Sequence, residues 1–255
     1  MDAPAARNLR LLLEYDGTEF RGWQRQAPDQ AGNDQRTVQG CLEAAVKAMT
    51  GEDVLVRGAG RTDAGVHAKG QVANLHTGAR IPTGGFLRGL NANLPPDVAV
   101  LEVHEVPPAF DARRAARGKL YRYAIWNHLV RAPLHRRTSW HCRAPLDLAA
   151  MRAATARLEG EHDFRAFRAA DCERRTTVRL LRRVELGAQG ALVTLDVEGT
   201  AFLKHMVRIL SGTLVAVGRG ELSPDDVSRL LEAGDRTQAG MTAPAAGLTL
   251  IRVDY

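Results

Sequence analysis

Along the first hundred residues the spacing of hydrophobic positions changes several times, and each change marks an element. Arg10–Tyr15, RLLLEY, is a short apolar run closed by Asp16-Gly17, which predicts a strand ending in a turn. After a polar, mobile loop over Gln24–Arg36, Val38, Leu42, Ala45, Val46 and Met49 recur at helical spacing. Thr37 stands where an N-cap belongs and Gly51 just past the end, so a helix is predicted between them. Val54–Arg57 and Gln71–His76 read as an antiparallel pair of strands. Phe86–Leu90 follows Pro82 as a helix stopped by Asn93 and Pro95-Pro96, and Val98–Val106 is a further strand. The order is β-α-β-β-α-β.

The second half repeats that order more loosely. Lys119–Asn127 alternates as a strand, with Tyr121, Tyr123 and Ile125 on one face. Asp147 caps a helix carrying Leu148, Met151 and Leu158. Val178–Leu186 and Ala191–Glu198 form a hairpin turned at Gly187–Gly190. A long helix is predicted from about Ala201 to Val217, with Phe202, Met206, Ile209 and Leu210 toward the core. Ser223-Pro224-Asp225-Asp226 opens another, with an N-cap, a proline at the first position and acids in the first turn. Gly247–Tyr255 closes as a strand. The expected class is α+β: two ferredoxin-like (RRM-like) halves with mainly antiparallel sheets flanked by helices. The expected boundaries are a disordered tail over 1–8, an N-terminal half over 9–112 and a C-terminal half over 113–255.

Charge narrows the class of partner. Lys+Arg number 35 against Asp+Glu 29, a net +6, with pI ≈ 9.6. The cations are nearly all arginine, the only lysines being Lys47, Lys69, Lys119 and Lys204. Arginine grips phosphate with a planar fork, which suits a nucleic-acid partner; a compositional preference for arginine and alanine explains the excess equally well. Cys41, Cys142 and Cys172 are odd in number and far apart, without C-x-x-C, which argues against a disulfide framework and a zinc site and fits a reducing cytoplasm. No apolar run approaches membrane-spanning length, and MDAPAARN lacks the regions of a signal peptide.

The stretch GAGRTDAGVHAKG, Gly58–Gly70, sets Asp63 in a glycine-rich bend between Arg61 and His67. It is not a dinucleotide fingerprint, because the third glycine position is Asp63 and a strand follows where a helix should begin. No G-x-x-x-x-G-K-[ST] exists either, so no nucleotide cofactor is expected. Two readings remain open on the residues alone. Aspartate beside glycine is a common turn pair, and an aspartate near a guanidinium is also an ionised, oriented carboxylate fit to act as nucleophile or base.

GRTDAGVHA, Gly60–Ala68, resembles the active-site motif of the TruA family of tRNA pseudouridine synthases. YDGTEFRGWQRQ (Tyr15–Gln26) and TVQGCLEAA (Thr37–Ala45) resemble its N-terminal blocks, and NANLPPDVAV and FDARRAARGKLYRYAI its middle. RTTVRLL, AFLKHMVRILSGTLVAVGRG and DRTQAGMTAPAAGLTLIRV resemble its end. The blocks come in family order over nearly the whole chain. Departures are FDAR where FHAR is usual, and Lys204 where the family's helix carries a second histidine. The resemblance implies a cofactor-free, metal-free homodimer that isomerises uridine in the tRNA anticodon stem-loop, at nucleotides 38 to 40, in a cleft between the halves. It makes Asp63 the essential carboxylate, and Tyr121 the ring that packs on the target base. Arg208 becomes the partner of Asp63, Arg61 the residue that helps hold the flipped nucleotide, and Leu248 an apolar wall.

Those residue types suit the chemistry. Isomerisation breaks N1–C1′, turns the uracil and rejoins it through C5, which one carboxylate can serve by covalent attack or by proton removal. Unstacking the uridine costs a few kcal/mol, and a stacking tyrosine returns roughly 1–3 kcal/mol. Arg113, Arg114, Arg117 and Lys119 lie in the densest basic cluster and are the candidate phosphate contacts. A non-catalytic basic RNA-binding module and a base-removing hydrolase are the competing classes; a hydrolase usually needs a second carboxylate, for which Asp16 and Asp196 are the candidates.

Overall fold

The computed structural model describes residues 6–27 and 35–255. They fall into two compact units, Gly118–Thr249 on one side and the residues up to Arg117 together with Leu250–Tyr255 on the other. The last strand residues therefore group with the first unit rather than with the half that precedes them in sequence.

In the first unit, β1 (Arg7–Tyr15) pairs antiparallel with both β3 (His67–Thr77) and β4 (Val98–Val106). Arg7 and Asn8, expected in the tail, are part of β1; residues 1–5 and the centre of the expected polar loop, 28–34, lie outside the described residues. Alternation explains the central strand, where Leu9, Leu11 and Leu13 are all fully buried. Helix α1 (Val38–Thr50) forms where its spacing predicts. The Thr37 hydroxyl accepts from the Gly40 N–H, and Gly51, at φ +75°, ends the helix with its N–H on Lys47. α2 (Thr83–Asn93) likewise buries Phe86 and Leu90.

Val54–Arg57 is the one expected strand that does not form over its length. Only β2 (Arg57–Gly58) pairs, antiparallel to β3. The Val56 N–H donates to Glu43 Oε1 on α1, 3.1 Å, and so is withdrawn from any ladder.

In the second unit, β5 (Gly118–Asn127) pairs antiparallel with β9 (Leu192–Gly199), which pairs with β8 (Val178–Gln189) and through it with β7 (Gly160–Asp163). The short β6 (Trp140–Cys142) runs parallel to β5. The β8–β9 hairpin turns later than predicted, because β8 continues through Gly187 to Gln189 and Gly190 supplies the positive φ, +58°. α3 (Leu148–Thr155) is capped by Asp147, and α5 (Pro224–Ala233) by a reciprocal Ser223–Asp226 capping box.

α4 (Met206–Gly218) starts five residues later than expected. His205 adopts φ +60°, a left-handed conformation incompatible with a continuing helix. Phe202 and Lys204 consequently lie in the segment leading into α4 and not on it. The closing strand, β10 (Leu248–Asp254), lies beside β3 in the first unit, and Gly70 admits it closely: a Cβ there would stand 2.3 Å from the Ile251 carbonyl oxygen.

Among the described residues no helix is long and apolar enough to cross a membrane.

Candidate active site

Asp63 opens a tight turn. The Val66 N–H returns to the Asp63 carbonyl at 3.1 Å, and Gly65 takes φ +77° at the position where such a turn needs a left-handed residue. Each flank of the turn is tied down. The Thr62 hydroxyl bonds the Tyr15 phenol at 2.8 Å in the core, and the Thr62 carbonyl accepts from the Trp23 N–H at 3.1 Å. Burial pushes the Tyr15 phenol up to about 12, so it stays protonated for that bond. The Gly65 N–H reaches the Phe20 carbonyl at 3.2 Å, and Gln71 Nε2 donates to the Gly60 carbonyl at 2.9 Å. Buried His67 accepts the Gly17 N–H on Nδ1 at 3.1 Å.

Two glycines outside the motif give the turn its seat. A Cβ on Gly17 would stand 2.0 Å from the Val66 carbonyl oxygen; one on Gly22 would stand 2.7 Å from that of Thr62, and Gly22 is at φ +94° besides. No residue with a side chain fits at either place without moving the loop. Asp63 is thereby presented half-buried on a backbone held from both sides.

Arg61 is aimed by α1. Its Nε donates to Gln24 Oε1 at 3.1 Å, Gln24 Nε2 donates to Gln39 Oε1 at 2.9 Å, and Gln39 Nε2 donates to Glu43 Oε1 at 2.9 Å. This chain of amides links an exposed guanidinium to buried Gln39 on the helix. Sequence reasoning did not assign these glutamines a role; their signal was the spacing of WQRQ and TVQG upstream of the motif.

Arg61 also lines a cavity of about 290 Å³ together with Trp23, Gln24, Arg57, Arg113 and Arg114. Two of the four candidate phosphate contacts therefore share a space with Arg61. Asp111, the departure from the usual FHAR, organises this arginine group. Its Oδ1 accepts the N–H of Arg114 and of Arg113, each at 2.9 Å, and its Oδ2 lies 3.5 Å from Arg57. The bond from the Arg114 amide, with the arginine charges around it, holds its carboxyl below the usual range. Arg117 is fixed through its backbone, N–H to the Asp254 carbonyl at 2.8 Å.

Lys119, Tyr121, Arg208 and Leu248 belong to the second unit. Tyr121 is buried on β5 opposite Val197, with its ring edge-on to Phe202 at 5.0 Å. Lys119 lies two residues earlier on the same strand, opposite Gly199. Arg208 Nε donates to the Ala243 carbonyl at 2.8 Å, while the Ala243 N–H donates back to the Arg208 carbonyl at 3.1 Å. The next carbonyl, Pro244, accepts the Tyr123 phenol at 2.8 Å, and Gly247 packs against the Tyr123 ring. Burial raises the Tyr123 phenol, with the Arg208 charge opposing it. The segment ending at buried Leu248 is thus pinned by Arg208 and Tyr123 together. The other departure, Lys204, pairs with Asp171.

Neither candidate for a second carboxylate is idle. Asp196 makes a bidentate pair with Arg122, both contacts at 2.7 Å, and Asp16 caps its own turn by accepting from the Thr18 N–H at 3.0 Å. Among the described residues Cys41, Cys142 and Cys172 are free thiols.

The family model described as tRNA pseudouridine synthase matches residues 12–113 and 154–255, which include Arg61, Asp63, Arg208 and Leu248. A protein of Citrifermentans bemidjiense named tRNA pseudouridine synthase A is 50% identical over 98% of this chain and 98% of its own length. Proteins of the same name from Geotalea uraniireducens and Myxococcus xanthus are 48% and 49% identical, over 98% and 97% of this chain and 100% and 91% of their own. With the family model over most of the chain and relatives half identical over 98% of it, one assignment follows: this protein belongs to the tRNA pseudouridine synthase family.

Proposed function

We propose that the protein converts uridine to pseudouridine at nucleotides 38 to 40 of the tRNA anticodon stem-loop, with Asp63 as the reacting carboxylate. The observation that carries this is the seat of Asp63, a tight turn clasped by Gly17 and Gly22 in a chain of this family.

The steps follow from the bonds involved. The uridine leaves its stack, N1–C1′ breaks, the uracil turns, C5 joins C1′, the C5 proton is lost, and N1 takes a proton from solvent. Asp63 acts by attack or by taking a sugar proton, and either role needs it ionised. Pairing with Arg208 would favour that state, and the Ala243 carbonyl supports the role by fixing how this guanidinium points. Tyr121 stacks on the base, its ring steadied by Phe202. Arg61 holds the flipped nucleotide, Arg113, Arg114, Arg117 and Lys119 meet phosphates, and Leu248 walls the pocket. The enzyme works as a homodimer in the cytoplasm, without a nucleotide cofactor or metal.

The test uses tRNA transcript tritiated at uracil C5. Wild type should release tritium without free uracil, and Asp63→Asn should release none. Binding without release by wild type would instead make the protein an RNA-binding module, and free uracil would make it a hydrolase.

A further inference from the structure

A second cavity, of about 580 Å³, lies wholly among residues of Gly118–Thr249. Its lining includes Trp126 and Trp140, Pro133 and Pro244, and Arg131 and Arg136. Most of its lining comes from the segment 126–141, inside the 114–153 stretch that the family model leaves unmatched. From this pocket we infer a second nucleotide-binding site, one that takes an unstacked nucleotide of the tRNA other than the uridine being isomerised. The inference rests on the proposed tRNA activity.

Size comes first: the volume falls within the roughly 300–1,000 Å³ typical of small-ligand sites and so accommodates a nucleotide. The walls then select a flat ring. Trp126 spends its indole N–H on the Val130 carbonyl at 2.9 Å, so what it offers a ligand is its face. His135 already stacks against Trp126, ring centroids 5.2 Å apart and planes 20° from parallel, which holds the indole in a stacking attitude. Trp140 is braced by Tyr123 edge-on at 6.4 Å, with the Arg219 guanidinium 5.9 Å from its ring centre. Trp126 so held supplies a stacking face, the sequence-tolerant means of holding an unpaired base, and Trp140, Pro133 and Pro244 contribute to the lining.

Charge selects the rest of the ligand. Arg131 and Arg136 are exposed, and no Asp or Glu occurs between Asp111 and Asp147, whereas Arg131, Arg136, Arg137 and Arg143 all do. An anionic backbone is complementary to this segment. A second copy of the chain is not. Leu129, Val130 and Leu134 are exposed here, 71%, 62% and 96%, and taken alone they would suit a protein contact. A two-fold contact centred on this segment would bring its arginines together with no acid among them.

The experiment measures binding and steady-state turnover of unmodified tRNA transcript across a salt series. It compares wild type, Arg131→Gln/Arg136→Gln and Trp126→Leu. Removing two phosphate contacts should lower the slope of log affinity against log salt by about two. Trp126→Leu should weaken tRNA binding about fivefold to hundredfold. Both variants should raise KM with kcat kept, since neither alters Asp63. The arginine variant changes exposed side chains only, so it decides the matter even if Trp126→Leu folds poorly. Variants that bind tRNA like wild type would overturn the pocket and leave the activity standing. So would a variant that sediments as a smaller species with its salt slope unchanged, which would assign the surface to a protein contact. A wild type unable to bind tRNA would overturn both readings.

Discussion

Replacing Gly17 by alanine probes how tightly the Asp63 turn is held. The new methyl would stand 2.0 Å from the Val66 carbonyl oxygen, and real Cβ contacts essentially never fall below 3.0 Å, so the two backbones must part by about 1 Å. If the Val66 side yields, the turn that opens at Asp63 moves with it. If the Gly17 side yields, its 3.1 Å bond to His67 Nδ1 is stretched instead. A misplacement of that size can cost about 10²-fold in rate, and overpacking of this kind costs about 1–3 kcal/mol of stability. We therefore expect Gly17→Ala to slow single-turnover tritium release about 10²-fold with tRNA affinity kept, alongside a lowered denaturation midpoint. Gly84→Ala is the control. Its methyl would meet nothing closer than Arg88 at 3.7 Å on α2, so it should leave the rate unchanged and stabilise by about 0.5–1 kcal/mol. Wild-type rate in folded Gly17→Ala would refute the idea that this contact positions Asp63.

Tyr121→Leu removes the stacking face and should lower turnover about fivefold to hundredfold, the roughly 1–3 kcal/mol of one base stack; unchanged turnover would remove Tyr121 from the site. Arg208→Ala should abolish most turnover and, through loss of its bond to the Ala243 carbonyl, lower stability by about 1.5–3 kcal/mol in denaturant titration. Full activity there would sink its pairing with Asp63. Burial raises the Tyr15 phenol from 10.0 to about 12, which favours the folded state below pH 10 and is lost as pH climbs from 10 to 12. Wild type should therefore lose about 3 kcal/mol relative to Tyr15→Phe across that window, and a constant difference between them would contradict the burial.

Periodicity carried the elements whose stabilisation is local. α1 and α5 begin and end where Thr37, Gly51 and the Ser223–Asp226 box require, because caps act within one turn of chain. Where a distant group intervened, pattern failed. Val54–Arg57 looks like a strand, but Glu43 takes the Val56 N–H; α4, by contrast, starts late for a local reason, because His205 turns left-handed just before it. The site divided in the same way. Asp63, Arg61 and Gly65 stood out in one motif, and their surroundings did not. Gly17 reads as a plain turn residue until Val66 is found against it, and the amides of Gln24 and Gln39 look like polar surface until they connect Arg61 to α1. The cavity lined by Trp126 and Trp140 was invisible because these residues lie on different strands brought side by side by parallel pairing of β5 with β6.

Leu250–Tyr255 complete the unit that carries Asp63, though more than a hundred residues of the other unit are synthesised between. The Arg117 N–H waits on the Asp254 carbonyl, the Ala112 carbonyl on the Tyr255 hydroxyl, and the Phe110 ring on that of Tyr255, 5.4 Å away. During translation the β4-β1-β3 sheet can assemble early but keeps the part of the β3 edge not covered by β2 unpaired until residues 250–255 leave the ribosome. An unpaired edge is a site for mispairing, so the nascent chain has a defined period of vulnerability to aggregation and to chaperone capture. A nonsense codon even a few residues short of Leu250 would release a protein whose second unit is nearly intact and whose Asp63-bearing unit is unfinished. Residues 250–255 thus tie assembly of the unit that carries Asp63 to synthesis of the other unit before them.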